Sequence, residues 1–204
     1  MKNDLTTYWK YAPLMDTGDT ILYIGGSVIG SMIGWWEKHI LKSAADKMFT
    51  HGNMVLRFTQ YELFRHMAYA RCEWSRAMLD QAGESTRRWV LDARASGVYP
   101  VLLSDYLETY NGHVYWYPLK AEITPDTRQA IGKYGMYLAG RGYDFKGLFK
   151  SAVGAVSVSM NRLFCTESIF LSYRDGGGIV QGNIAPRPDM MPGLGVYEEP
   201  IQIF

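Results

Sequence analysis

Two apolar runs, Trp89-Val90-Leu91-Asp92-Ala93 and Val98-Tyr99-Pro100-Val101-Leu102, flank Ser96-Gly97 and read as a pair of strands around a tight turn. Asp19 to Gly26 reads as a third strand, opened by a polar turn and closed by glycines. Met48 to Phe58 carries a polar histidine, His51, into a fourth apolar strand, and Val114 to Leu119 supplies a fifth. Helical signals fall between these strands. Trp35, Trp36, Ile40 and Leu41 sit at helical spacing, as do Leu63, Met67, Ala70, Trp74 and Ala77 within Tyr61 to Ala82. Ser104 to Tyr110 reads as a short helix and Pro125 to Leu138 as a longer one. The expected fold is therefore α+β: a small antiparallel sheet packed against helices, in one domain spanning 1–204.

The tail changes character. After Tyr173 come Gly176-Gly177-Gly178 and a proline-rich stretch from Ala185 to Pro192, so 175–204 reads as loop with one edge strand at most. Tyr143-Asp144-Phe145 reads as a connection, and Ser151 to Ser159 as an apolar, small-residue segment leading to Cys165.

Several function classes lose support at this point. A formal net charge of +1, with no run of like charge longer than Arg87-Arg88, gives no electrostatic case for nucleic acid. The uncharged stretch from Ile21 to Trp36 is too short to span a bilayer, which takes about 20 residues, and its glycines break it into strand plus helix. The chain is expected not to be transmembrane. Met1 to Leu5 carries an acid and no apolar run follows before Tyr11, so no secretory signal is visible and a cytoplasmic location is the default. The two cysteines, Cys72 and Cys165, lack disulfide-rich spacing and read as reduced thiols. No metal-ligand cluster, phosphate loop or internal repeat is visible, so neither a metal nor a cofactor is expected.

Chemistry concentrates at Asn161 to Leu171, where Cys165 stands at a helix start. Thr166, Glu167 and Ser168 suit a first turn, while Ile169, Phe170 and Tyr173 give the helix one apolar side. Backbone donors and the dipole at a helix start favour thiolate, the form that attacks a carbonyl carbon. Free cysteine is also among the most buried residue types, so an inert core thiol competes with that reading. A cysteine hydrolase further needs a base and a polar group to orient the base. His51 at the head of one strand, Asp92 near the end of another and Cys165 at the helix start are placed for a sheet and helix to gather. His39 is a weaker rival on its helix, and His66 and Cys72 look incidental. Glu167 reads as a stabiliser of the helix start and Asp19 as a cap for the turn before the first strand.

Four segments resemble the circularly permuted, NlpC-type branch of the papain-like cysteine hydrolases, the group that includes YiiX-like proteins. Gly18-Asp19-Thr20-Ile21-Leu22-Tyr23 is similar to its opening Gly-Asp strand, and Thr50-His51-Gly52-Asn53-Met54-Val55 to its Ser-His-Val-Gly-Ile strand. Val90-Leu91-Asp92-Ala93 with Ser96-Gly97-Val98 resembles Val-Leu-Glu-Ala…Gly-Val, with Asp92 in place of glutamate. Phe164-Cys165-Thr166-Glu167 resembles Phe-Cys-Ser-Glu, preceded by Tyr143-Asp144-Phe145 where that group carries Tyr-Asp-Phe.

The resemblance implies a permuted papain-like fold with a helical insertion at about 59–88. It implies Cys165 as nucleophile, His51 as base and Asp92 as the group orienting it, acting on an amide or peptide-type bond, with cell-wall peptides the first candidate. A lipid or thioester acyl substrate is the alternative within that chemistry. A module with an idle site, structural or binding in a larger assembly, is the alternative outside it. The Tyr61 to Ala82 helix reads first as packed on its own domain and second as a place for a protein partner.

Overall fold

The computed structural model describes residues 3–25, 49–57, 88–94, 97–140, 142–143, 162–163 and 165–204. The expected helices at Trp35 to Leu41 and Tyr61 to Ala82, the insertion at about 59–88 and the Ser151 to Ser159 segment lie outside these residues. So do His39, His66, Cys72, Asp144, Phe145 and Phe164.

Six strands form one antiparallel sheet: β1 (Thr20–Gly25), β2 (His51–Leu56), β3 (Trp89–Arg94), β4 (Gly97–Leu102), β5 (Gly112–Tyr117) and β8 (Ile201–Gln202), ordered β4-β3-β2-β1-β5-β8. The hairpin legible in the sequence is β3–β4, with Asp92 opposite Tyr99 and Arg94 opposite Gly97. Gly97 has φ 125, a backbone conformation that only glycine adopts without strain. β1 lies between β2 and β5, pairing Tyr23 with His51 on one side and with Val114 on the other.

Side chains alternate across this sheet as a period of two requires. Leu22, Met54, Leu56, Trp89, Leu91 and Tyr117 point into one core, and Ile21, Tyr23, Val55, Val90, Val114 and Trp116 into another. α4 (Cys165–Leu171) fills the first. The second is filled by α1 (Thr6–Tyr11), which contributes Tyr8, and by α2 (Leu103–Thr109), which contributes Leu103 and Leu107. The amino-terminal segment thus holds a helix and a share of the core that its sequence did not announce. Its spacing is too short for a periodic signal.

α3 (Pro125–Leu138) begins as predicted, with Pro125 in the first turn and Thr124 Oγ1 accepting from the Thr127 N–H at 3.2 Å. It packs against the continuation of α4, a π-helical turn over Ser172–Gly177. Gly176 and Gly177, expected in a loop, are helical instead. A Cβ on Gly177 would stand 2.5 Å from Ile131, so the glycines allow two helices to approach rather than breaking one. Gly178, at φ 64, ends the run.

Two further expectations are corrected. All seven residues of α4 are buried, so it is a wholly enclosed helix rather than one with a single apolar side. Tyr143 is not in a simple connection: β6 (Gly142–Tyr143) pairs in parallel with β7 (Arg162–Leu163), bringing the chain before Asp144 beside the chain that leads into Cys165. The tail carries the one edge strand its sequence allowed. After a 3-10 turn at Pro188–Leu194, β8 closes the sheet edge against β5.

Candidate active site

β2 starts at His51 because Thr50 donates its backbone N–H to the Tyr23 carbonyl at 2.8 Å, locking the strand onto β1 just ahead of the histidine. Two strands of the sheet then bring base and acid together. His51 Nε2 lies 2.7 Å from Asp92 Oδ1, with the histidine side chain 21% exposed and the aspartate 1% exposed. A buried carboxylate this close requires a donor, so Nε2 carries a proton. That leaves Nδ1 as the ring nitrogen available to a thiol.

The thiol comes from the other side of β2. Gly52 faces α4: a Cβ there would stand 3.0 Å from Leu22 Cδ2 and 3.4 Å from both Ile169 Cδ1 and Thr166 Cγ2. The missing side chain lets the helix start seat directly beside His51. Thr166 Oγ1 donates to the Pro186 carbonyl at 2.6 Å and Ser168 Oγ to the Cys165 carbonyl at 2.9 Å, pinning this turn from the tail and from within. Cys165 is a free thiol, 2% exposed. The close approach of Thr166 and Ile169 to Gly52 sets this helix start beside the residue that follows His51.

Burial alone would push the imidazole toward its neutral form. The Asp92 carboxylate, and after it Cys165, outweigh that cost and hold the His51 pKa well above the ordinary histidine value. The cluster therefore retains a proton where a solvent-exposed histidine would have released it. Such a ring can hold positive charge beside a thiolate and later return a proton to a leaving group.

All three sequence-predicted site residues, His51, Asp92 and Cys165, converge. The remaining described histidine, His113, is exposed on β5, 3.3 Å from Gln202 Nε2 and away from this cluster. Asp19 is structural as expected, though it does more than cap a turn. Its carboxylate accepts from the Asp16 N–H, Trp116 Nε1 and the Leu119 N–H, each at 2.9 Å, and from Arg128 Nη1 at 2.8 Å. Glu167 is buried inside α4 rather than standing at its exposed rim.

Two residues escaped the sequence reading. Asn53, fully buried, sits two residues along β2 from His51 and so on the same face. In the amide orientation that satisfies its neighbours, its nitrogen is 2.9 Å from Asp92 Oδ1 and 2.8 Å from the Gly52 carbonyl, and its oxygen accepts from the Tyr23 hydroxyl at 3.0 Å. The Tyr23 ring lies 5.5 Å from the His51 ring, centroid to centroid. Burial first, then Tyr106 and Asp92, hold the Tyr23 pKa well above that of a free phenol, so its hydroxyl stays a donor. The signal was present in the period-two spacing of two polar residues within an otherwise apolar strand.

The fold resembles that of a solved structure, metalloprotein YiiX from Escherichia coli O157:H7. The two share 16% identity with a TM-score of 0.51 over 80% of this chain and 67% of that one. This likeness shows a YiiX-like α+β fold. No known family profile matches the sequence, and no curated protein matches it. The relative is called a metalloprotein; among the described residues here, no group of three or more His, Cys, Asp or Glu side chains gathers to hold a metal ion. No described helix is long and apolar enough to cross a membrane.

Proposed function

We propose that the chain is a cysteine-dependent hydrolase of the permuted, NlpC-like kind, cleaving an amide or peptide-type bond through a thioester acyl-enzyme. The observation that carries this reading is a single imidazole engaged by a buried carboxylate on Nε2, in the strand against which the Cys165 helix start is seated. An inert core cysteine has no use for that arrangement.

In the proposed cycle the Cys165 proton passes to His51 Nδ1 and the thiolate adds to the carbonyl carbon. Negative charge moves to the carbonyl oxygen, for which the Cys165 backbone N–H is the natural first donor. Collapse of that intermediate breaks the carbon–nitrogen bond, and the leaving amine takes the proton from His51. His51 then removes a proton from water, the hydroxide adds to the thioester, and the carboxylic acid departs as Cys165 is restored. Asp92 holds the ring in one tautomer and balances its charge throughout. The imidazole is the more exposed partner, so substrate approaches over the His51 side.

The test is brief alkylation with iodoacetamide followed by mass spectrometry, together with turnover of small acyl amides and esters. Cys165 should alkylate far faster than Cys72, and labelling at Cys165 should fall sharply in His51→Ala. Equal labelling of both thiols, or none at Cys165, refutes the proposal.

A further inference from the structure

We propose that Asn53, held by Tyr23, is a positioning residue that aims the Asp92 carboxylate at His51; this rests on the catalytic reading of the same cluster. The argument is one of satisfiability. An amide nitrogen has two hydrogens to give, and three polar atoms lie near that of Asn53: Asp92 Oδ1 at 2.9 Å, the Gly52 carbonyl at 2.8 Å and His51 Nε2 at 2.8 Å. Nε2 is spoken for as a donor to Asp92 at 2.7 Å, so it cannot also accept. The two amide hydrogens therefore go to Asp92 and to the Gly52 carbonyl. The Tyr23 hydroxyl at 3.0 Å on the amide oxygen stops the group from turning over.

This arrangement has two physical effects. It fixes one Asp92 oxygen between an amide and an imidazole, so the carboxylate cannot swing away from the ring when the imidazole is neutral. It also places the positive end of the amide dipole beside Nε2, which opposes protonation and tempers the pull of Asp92 on the imidazole. The amide thus keeps the base from becoming too strong to give its proton up. The charged and titratable groups facing His51 among the described residues are Asp92 on β3, Cys165 on α4 and Tyr23 on β1, with Tyr106 and Tyr110 packed behind Tyr23.

The readout is the His51 titration followed by NMR of labelled imidazole, which needs no turnover, alongside the pH profile of kcat/KM. Asn53→Leu removes both donors at similar size, and Tyr23→Phe removes only the hydroxyl that orients the amide. The expected result is a rise in the His51 pKa of about one unit in Asn53→Leu and a smaller rise in Tyr23→Phe. A parallel upward shift of the basic limb of kcat/KM and a loss of about tenfold at neutral pH should accompany it. If Asn53→Leu fails to fold, the Tyr23→Phe titration decides the matter. An unshifted His51 in the folded variants, or a loss confined to thermal stability, overturns the inference. Failure of the enzyme reading appears differently: no turnover and no selective labelling in the wild type, while the titration shift is still measurable.

Discussion

Asp19 and Asp92 are both almost completely buried carboxylates on one sheet, and they do opposite things. Asp19 is surrounded by donors that do not change: two backbone N–H groups, an indole and a guanidinium. It ties the head of β1 to β5 and α3, and its arginine cannot shed a proton. Asp92 faces a ring that can. A buried carboxylate among permanent donors is a fastener, whereas one aimed at an imidazole can stabilise a charge that comes and goes. Burial and hydrogen bonding look alike at the two sites, so the chemistry of the partner is what separates them.

Substitution breaks the pair apart most directly. Asp92→Asn should lower kcat/KM by up to ~10⁴ by favouring the wrong tautomer and removing the imidazolium's charge partner. Stability should fall less than in a variant of Asp19, because His51 can become neutral. Asp92→Glu should be milder. Unchanged kinetics in Asp92→Asn, measured beside its thermal midpoint, would end the comparison in its present form. Asp19→Asn should do the reverse. It strands a largely buried Arg128 and should cost about 3–5 kcal/mol of unfolding free energy in urea, while turnover per folded molecule stays the same.

The pH dependence of stability sharpens the contrast further. The folded-state pKa of His51 is raised, so the stability from its interactions with Asp92 and Cys165 is fully present below the unfolded value of about 6.5 and is lost as pH rises through the folded value. Unfolding free energy should therefore fall across that window in the wild type, and the slope should flatten in Asp92→Asn. A slope that survives in Asp92→Asn would assign the dependence to another group. The smallest effect is expected at Gly52, where Gly52→Ala pushes a methyl against Leu22, Ile169 and Thr166. A loss of about 1 kcal/mol, read by thermal melting, should come with a slight drop in Cys165 labelling as α4 is eased away.

Much of this was legible from local pattern. The β3–β4 hairpin, the start and end of α3, and the positions of His51 and Cys165 at element starts all followed from alternation, turn residues and capping. What was hidden needed the third dimension. Asn53 and Tyr23 are ordinary strand residues until the register pairs β1 with β2 and β2 with β3, which carries Asp92. α1 is six residues long, too short for a periodic signal, and is held by tertiary packing of Tyr8 and its neighbours. Nothing in the strand pattern singles out Gly52, and only the position of α4 shows why a side chain would be unwelcome there.

Chain order gives the cluster a direction in time. β1, β2, β3 and β5 all precede Cys165, so a ribosome working from the amino terminus delivers Tyr23, His51, Asn53 and Asp92 before the thiol exists. Asp92 and His51 belong to neighbouring strands of an antiparallel sheet, while Cys165 rides on a helix that seats against Gly52 and is pinned there by Pro186, a residue translated later still. In a nascent chain Cys165 consequently reaches its place beside His51 only when the tail has closed over α4.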